Sequence, residues 1–164
     1  SWGTQLQYKT SAKTLLNYST FIGTDKPDSA RQLRFFHNLY GIFSLTDKLG
    51  LTLGFDIGTE EKLTGGNNGW YGTAAILRYG FNDKWAVAAR GEYYNDKNNV
   101  IISAASPNGF RASGLSLNID HSPFKNALLR MEIKNIRSPD AVFTRGNNPV
   151  KNTTTVVSSL SVSF

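Results

Sequence analysis

The sequence contains no cysteine, which excludes disulfide bonds and thiolate metal sites. It also has no long apolar run: TAAIL and WAVAA fall far short of the roughly 18 residues that a membrane-spanning helix needs. The mean hydropathy is −0.32. A helical membrane protein is therefore excluded. A membrane protein built from strands stays open, because a barrel strand needs only about 9–11 residues, half of them apolar.

The common catalytic motifs are absent as well. There is no glycine-rich phosphate loop, no H-E-x-x-H and no G-x-S-x-G. The two histidines, His37 and His121, are better explained as residues of a strand rim or turn than as metal ligands. His37 beside one of the many serines is the remaining arrangement that a hydrolytic barrel could use. We predict no enzyme activity, no catalytic or metal-binding residues and no cofactor.

The charge is basic, with 18 Lys and Arg residues against 12 Asp and Glu and a net charge of +6. Nucleic-acid binding favours a clustered basic stripe, whereas these side chains are scattered through turns and alternate positions. We therefore predict no nucleic-acid partner. Basic connections that face anionic lipid head groups explain the excess of positive charge equally well.

Period-two alternation dominates the chain, and the segment KLGLTLGFDIG, residues 48–58, shows it most regularly. Its odd positions from 49 to 57 are Leu, Leu, Leu, Phe and Ile, and its even positions are Gly, Thr, Gly, Asp and Gly. This is the pattern of a strand with one apolar and one polar face. About nine such segments fill residues 1–164, and no linker or domain boundary interrupts them.

Short and long polar connections alternate between the segments. The short ones are YKTSAKT, LTDKLG, FNDKWA and DHSPFKN; the long ones are GTDKPDSARQ, GTEEKLTGGNNG, NDKNNVIISAASPNG and RSPDAVFTRGNNPVKNTT. Outer-membrane barrels have tight turns on one rim and long loops on the other, whereas a soluble sandwich has no reason to alternate so strictly. A soluble β-sandwich or lipocalin-like carrier stays as a further alternative. We predict an all-β fold, an antiparallel up-and-down transmembrane β-barrel. The third long connection has room for a short extra strand or hairpin.

Two features favour lipid on the apolar side and a water-filled lumen on the polar side. Charges occupy mid-strand polar positions, where they need water or partners, and Tyr and Trp collect near strand ends, as at membrane interfaces. The predicted lumen-lining residues are Arg34, Asp56, Arg78, Arg90, Glu92, Asp120, Arg130, Glu132 and Lys134. The predicted lipid-facing residues are Leu49, Leu51, Leu53, Phe55, Leu115, Leu117, Leu129 and Met131.

The predicted lumen set has two interpretations. In a wide barrel its side chains would line water, and their small positive excess would favour anions. In a narrow barrel of about eight strands the same charges would pair and fill the interior. The sequence leaves both interpretations open.

The strand count does not close a barrel. Bacterial single-chain barrels have even numbers of strands, whereas about nine are visible here. Either the first segment, residues 2–9, is not a membrane strand, or the chain is a C-terminal portion of a larger barrel. The first segment alternates as well as its neighbours, so we favour the second interpretation.

Several runs resemble the C-terminal half of the β-barrel porins of Gram-negative outer membranes: WGTQLQYKTSAKTLLNYSTFIG, RFFHNLYGIFSLTDKLGLTLGFDIG, WYGTAAILRYGFNDKWAVAARGEYYND and VSSLSVSF. Asp-Lys turns of that family appear at 47–48 and 83–84. The resemblance covers nearly the whole chain and implies an outer-membrane channel, in a family whose members are about twice this length. Leu160, Val162 and Phe164 resemble the signal read by the barrel-assembly machinery, although Val157 to Ser159 stand where that signal often has a glycine.

We therefore expect a bacterial outer-membrane channel for passive diffusion of small polar solutes or ions. The alternative is a non-conducting structural or adhesin-type barrel that acts as a subunit of a larger envelope complex. Expected partners are outer-membrane lipid and lipopolysaccharide, the barrel-assembly machinery, and a second copy or an envelope complex.

The predicted facing can be tested with arginine substitutions. We expect Leu53→Arg or Leu117→Arg to impair membrane assembly, because a charge on the lipid side near the midplane costs roughly 2–4 kcal/mol. Thr52→Arg or Ser116→Arg, on the polar side, should assemble. Yield of heat-modifiable barrel in outer-membrane fractions measures this, and equal tolerance at both sets would contradict the facing.

Overall fold

The computed structural model describes every residue from Ser1 to Phe164, and strands dominate it. The strands are β1 (Trp2–Ser11), β2 (Thr14–Gly23), β3 (Arg34–Ser44), β4 (Leu49–Glu61), β5 (Asn67–Gly80), β6 (Trp85–Asp96), β7 (Phe110–Phe124), β8 (Ala127–Arg137), β9 (Phe143–Arg145), β10 (Asn148–Val150) and β11 (Asn152–Val162). The single helical element is a 3₁₀ turn at Asp28–Ala30. None of the helical structure has the length and apolar content to cross a bilayer.

Nine strands form one antiparallel meander in the order β1-β2-β3-β4-β5-β6-β7-β8-β11. Every strand of this sheet pairs with the strand before or after it, so the predicted all-β up-and-down architecture and the count of about nine strands are confirmed. The short strands β9 and β10 form a separate hairpin between β8 and β11. The sheet is not closed: β1 and β11 are its edges, and each pairs with one neighbour only.

Short and long connections alternate as the sequence predicts, with two differences. The short ones are residues 12–13, 45–48, 81–84 and 125–126, and the long ones are 24–33, 62–66, 97–109 and 138–151. The second long connection shrinks to 62–66 because residues 59–61 pair with 67–69 and lengthen both strands. The extra hairpin predicted for the third connection is wrong; it lies in the fourth, where Asn148 pairs with Arg145.

Strand pairing divides the side chains of the sheet into two faces. Side chains alternate between the two sides along each strand, and residues directly opposite in an antiparallel pair point to the same side. The register therefore fixes the face on which the odd or even positions of every strand lie, which we call their parity. One continuous row is Leu51, Leu77, Ala89, Leu117, Ile133 and Val156; the adjacent row on the other side is Thr52, Ile76, Arg90, Ser116, Lys134 and Thr155. We call the first the apolar face and the second the polar face.

Burial on these two faces is the reverse of that in a soluble protein. Large aliphatic side chains of the apolar face are exposed, with Leu115 at 72% and Leu160 at 63%, and no second layer covers them. The buried hydrophobic residues are few, Trp70, Ala86, Ala88 and Ala112, and all have polar-face parity. Buried with them are polar groups such as Asn17, Glu60 and Asp120. A sandwich or carrier with a conventional core is therefore excluded for this sheet.

Glycines on the polar face leave room for large side chains from the next strand. A Cβ at Gly58 would lie 2.1 Å from the Trp70 ring, and one at Gly114 would lie 2.5 Å from Glu92 Oε1. A Cβ at Gly72 would lie 3.2 Å from the Tyr94 ring. These side chains lie flat across neighbouring strands because the glycines have no side chain there. Packing of large side chains over glycines explains how polar-face residues become buried without a covering layer.

Gly58 and Gly54 provide a matched pair for testing this packing. Both are in β4 and on the polar face, but a Cβ at Gly54 would meet nothing within 4 Å. We expect Gly58→Ala to destabilise the fold by about 1–3 kcal/mol through overpacking against Trp70. Gly54→Ala should change the free energy of unfolding much less. Urea unfolding in detergent micelles, followed by tryptophan fluorescence, measures both, and equal effects would contradict the packing argument.

Candidate functional site

The nine predicted lumen residues all lie on the polar face, in strands β3 to β8. The eight predicted lipid-facing residues all lie on the apolar face of β4, β7 and β8. Of the predicted assembly signal, Leu160 and Val162 have apolar-face parity in β11, and Phe164 follows the strand end fully exposed. The polar face is therefore the surface on which predicted functional residues are brought together.

A buried ion-pair cluster lies on the polar face near the long connections. Arg34 Nε donates to Glu60 Oε2 at 3.0 Å, and Arg34 Nη1 donates to Asp25 Oδ2 at 3.0 Å. The Arg34 guanidinium also lies 5.7 Å from the centre of the Trp70 ring. Glu60 is buried, and its Oε2 accepts hydrogen bonds from both Nε and Nη2 of Arg34, which compensates the buried charge. Two carboxylates therefore surround the single Arg34 guanidinium, and this cluster has no excess of positive charge.

Glu92 is the centre of a second cluster, at mid-sheet. Arg90 Nη2 lies 2.7 Å from Glu92 Oε2, and Lys134 Nζ lies 2.5 Å from Glu92 Oε1. Lys134 is two strands away, and the contact is possible because Gly114 stands between them. Ser116 is buried directly between Arg90 and Lys134 in the register, so an arginine there would add a third cation. Thr52 is accordingly the better polar-face control for the arginine test.

The third cluster lies at the end with the short connections. Arg130 donates to Asp120 from Nε at 2.6 Å and from Nη2 at 2.8 Å, and Asn118 adds a third bond at 3.0 Å. Arg78, Lys125 and Arg130 border a cavity of about 470 Å³ in which Asp120 is the one acid, and Arg78 makes no ion pair. Positive charge is therefore left unneutralised at this end.

Four polar-face residues that matter to this arrangement were missed at the level of sequence: Glu60, Trp70, Tyr94 and Asp96. Parity could have found Glu60 and Asp96, which continue the series of Asp56 and of Arg90 and Glu92. With these two and Lys9 included, cations and acids on the face are equal in number, so the positive excess of the predicted set disappears. The total charge on the polar face is balanced, so its two ends differ in where the cations and acids lie along the strands.

The apolar face carries aromatic contacts at both ends of an aliphatic band. Toward the long connections Tyr71 packs on Tyr93, with ring centres 5.9 Å apart, and toward the short ones Tyr79 packs on Phe81 at 5.2 Å. The strand from Tyr71 to Tyr79 is about nine residues long, the lower end of the roughly 9–11 residues with which a tilted strand crosses a membrane. The band is thus flanked by rings in the way membrane interfaces favour.

Both histidines lie within strands on this apolar face. His37 Nδ1 is 2.8 Å from the Tyr18 hydroxyl, and the two rings stack. His121 stacks on Trp85 with ring centres 4.0 Å apart. Both residues lie toward strand ends, in line with the predicted rim or turn position, and His121 belongs to the rim rather than to a turn because β7 continues to Phe124.

Two of the long connections touch each other above the sheet. Asp140, in residues 138–151, accepts hydrogen bonds from Ser106 Oγ at 2.5 Å and from Asn108 Nδ2 at 3.0 Å. Both donors belong to residues 97–109. The contact ties the third long connection to the fourth.

A family model described as "Putative beta-barrel porin-2, OmpL-like" matches residues 1–164, the whole chain. The chain belongs to this family. Its faces, strand order and connection lengths therefore describe a porin-type barrel protein, and the family indicates a channel rather than an enzyme.

Comparison with solved structures agrees on the fold of this porin-family chain. A structure described as "NanC porin structure in rhombohedral crystal form" aligns with a TM-score of 0.67 at 9% identity. The alignment covers 99% of this chain and 78% of that one. At such identity the likeness shows the fold alone. No curated protein matches the chain.

The contact at Asp140 makes a prediction about pH. The hydrogen bonds from Ser106 and then Asn108 lower the pKa of the Asp140 carboxyl below its ordinary 3.8. A group with a depressed folded pKa contributes fully above its unfolded value and loses that contribution as pH falls through the folded one. We expect the Asn108 side-chain amide resonances to follow a titration whose midpoint lies below the ordinary carboxyl pKa.

Asp140→Asn is the control for this titration, since it removes the ionisable group. The variant should show no such movement of the Asn108 resonances at low pH. A wild-type transition at or above the ordinary carboxyl pKa would contradict the proposed stabilisation of the charged form.

Proposed function

We propose that the protein is an outer-membrane porin-type channel that conducts small polar solutes or ions by passive diffusion. The observation that carries this proposal is the reversed burial: exposed aliphatic side chains on one face of the sheet, and paired charges on the other. Only lipid solvates the first face favourably, and only water or ion partners tolerate the second. Family membership supports the same assignment.

The polar face has the properties of a channel wall that contacts water. Arg90, Arg130 and Lys134 each form an ion pair, yet their side chains remain 43%, 46% and 31% exposed. These charges combine the two interpretations of the predicted lumen set. They are paired, as in a narrow barrel, and they keep accessible surface that would meet the water of a wider lumen. Passive diffusion along such a wall needs neither a cofactor nor a catalytic group.

The outer membrane is the proposed location, and lipid with lipopolysaccharide the proposed surroundings. The aromatic contacts at both ends of the aliphatic band support this placement. Leu160, Val162 and Phe164 are proposed as the segment read by the barrel-assembly machinery, which their exposure at the end of β11 permits. A second copy of the chain is a proposed partner in either case, whereas docking as a subunit of a larger envelope complex belongs to the alternative, a barrel that does not conduct.

Planar-bilayer recording separates the channel from the non-conducting alternative. The channel proposal expects stable single-channel steps from protein extracted from outer membranes in detergent. A correctly folded, heat-modifiable barrel that carries no current would refute it and favour the structural alternative.

The unpaired Arg78 predicts the direction of ion selectivity. Because Arg78, Lys125 and Arg130 border this cavity and Asp120 is the one acid there, the short-connection end should attract anions. We expect Arg78→Glu to shift the reversal potential in a salt gradient toward cation preference. Lys84→Glu, the same charge change in the connection 81–84, is the control and should shift it less. Equal shifts would contradict a lumenal role for Arg78.

A further inference from the structure

We propose that residues 97–109, the connection between β6 and β7, form a fixed ledge that lies over the polar face and narrows the channel near its long-connection end. Asp96 is the positioning residue of this ledge. The proposal rests on the channel function above and adds to it a specific constriction, its residues and its anchor.

The ledge is a closed loop whose two ends lie side by side. Asp96 pairs with Phe110 as the last rung between β6 and β7. Gly109 has a φ of +66°, and a Cβ there would lie 2.3 Å from the Lys97 carbonyl oxygen. Only glycine allows the returning chain to pass so close to the departing one. A compact loop of this kind has its own internal order rather than that of a free tether.

Asp96 turns the loop toward the polar face. Asp96 lies on the polar face of β6, like Glu92 and Arg90, and its side chain is fully buried. Its carboxylate accepts backbone N–H bonds from Val100 at 2.8 Å and from Ile101 at 2.7 Å and Ile102 at 2.9 Å. Three backbone amides bound to one carboxylate hold residues 100–102 next to the end of β6, and hydrogen bonds to a charged acceptor are among the stronger ones. Residues 100–102 are thereby held on the lumenal side of the strand end.

The ledge meets the wall of the proposed channel. Ile102 borders a cavity of about 300 Å³ together with Asp56, Glu92 and Tyr94 of the polar face. The floor of that cavity includes Gly54, Gly72 and Gly114, so its depth results from missing side chains. The loop and the sheet therefore enclose one space between them, which places the loop in the path along the wall.

A second anchor holds the far part of the loop. Ser106 and Asn108 donate to Asp140 of the fourth long connection, as described above. Within the loop, Asn99 Oδ1 also accepts from the Ala104 amide at 3.1 Å. With anchors at Asp96 and Asp140, the segment is restrained at two separate points. This restraint favours a permanent constriction over a lid that opens and closes.

The first experiment locates the loop without relying on conduction. Lys97 is exposed at the start of the loop and offers a trypsin site, but an anchored loop resists cleavage because proteolysis needs local opening. We expect folded wild type in detergent to resist cutting after Lys97, and Asp96→Ala to lose this protection. Asp96→Asn, which keeps the shape but loses the charge, should lose part of it. Asp83→Asn, in a short connection, is the matched control and should remain protected.

The second experiment asks whether the ledge stands in the channel. The chain has no cysteine, so Ile102→Cys introduces a single reactive thiol. We expect a bulky thiol reagent to reduce single-channel current in Ile102→Cys and to have little effect on Leu63→Cys, in connection 62–66. Adding Asp96→Ala to Ile102→Cys should weaken the block and raise the unmodified conductance.

The outcomes separate the two proposals. A silent wild type refutes the channel, while trypsin protection that depends on Asp96 still supports the anchored loop. A conducting wild type whose current is unchanged by modification at 102 refutes the ledge and leaves the channel intact. Cleavage at Lys97 in folded wild type refutes Asp96 as an anchor. Heat-modifiable mobility on gels confirms in each case that the variant is folded.

Discussion

Backbone pairing between consecutive antiparallel strands is the constraint on which the rest of this molecule depends. Each rung fixes which residues share a side, so a single register error would move a whole strand's charges to the other face. Across β3 to β8 the register keeps Asp56, Glu92 and Lys134 on one side and Leu51, Leu117 and Met131 on the other. The ion pairs, the glycine contacts and the exposed aliphatic surface all follow from that alignment.

The sequence predicted the faces well because parity is a local property. A residue's side depends only on odd or even position within a strand, and uninterrupted alternation around Leu53 or Leu117 is visible without coordinates. The antiparallel order was predictable for a related reason: the four short connections leave the strands they join no other partner, and strands consecutive in sequence usually lie next to each other.

The details of the site were less predictable because they depend on neighbours two strands apart. Nothing in the segment around Glu92 reveals that Lys134 is its partner, since the contact depends on Gly114 between them. Arg34 and Glu60, by contrast, are directly opposite on adjacent strands, and the sequence does not reveal this pair because the polar run after Gly58 predicts a connection rather than a continuation of β4. The direction taken by residues 97–109 depends on three amides reaching one carboxylate, and the order of residues alone gives no sign of this.

The two edges of the sheet have a consequence for the complete assembly. In a nine-stranded antiparallel meander the first and last strands, β1 and β11, point the same way. They cannot be joined to each other by the antiparallel pairing that links all the others. A barrel closed by antiparallel pairing alone would need an odd number of strands between these edges, whereas direct contact of β1 with β11 would form a parallel pair.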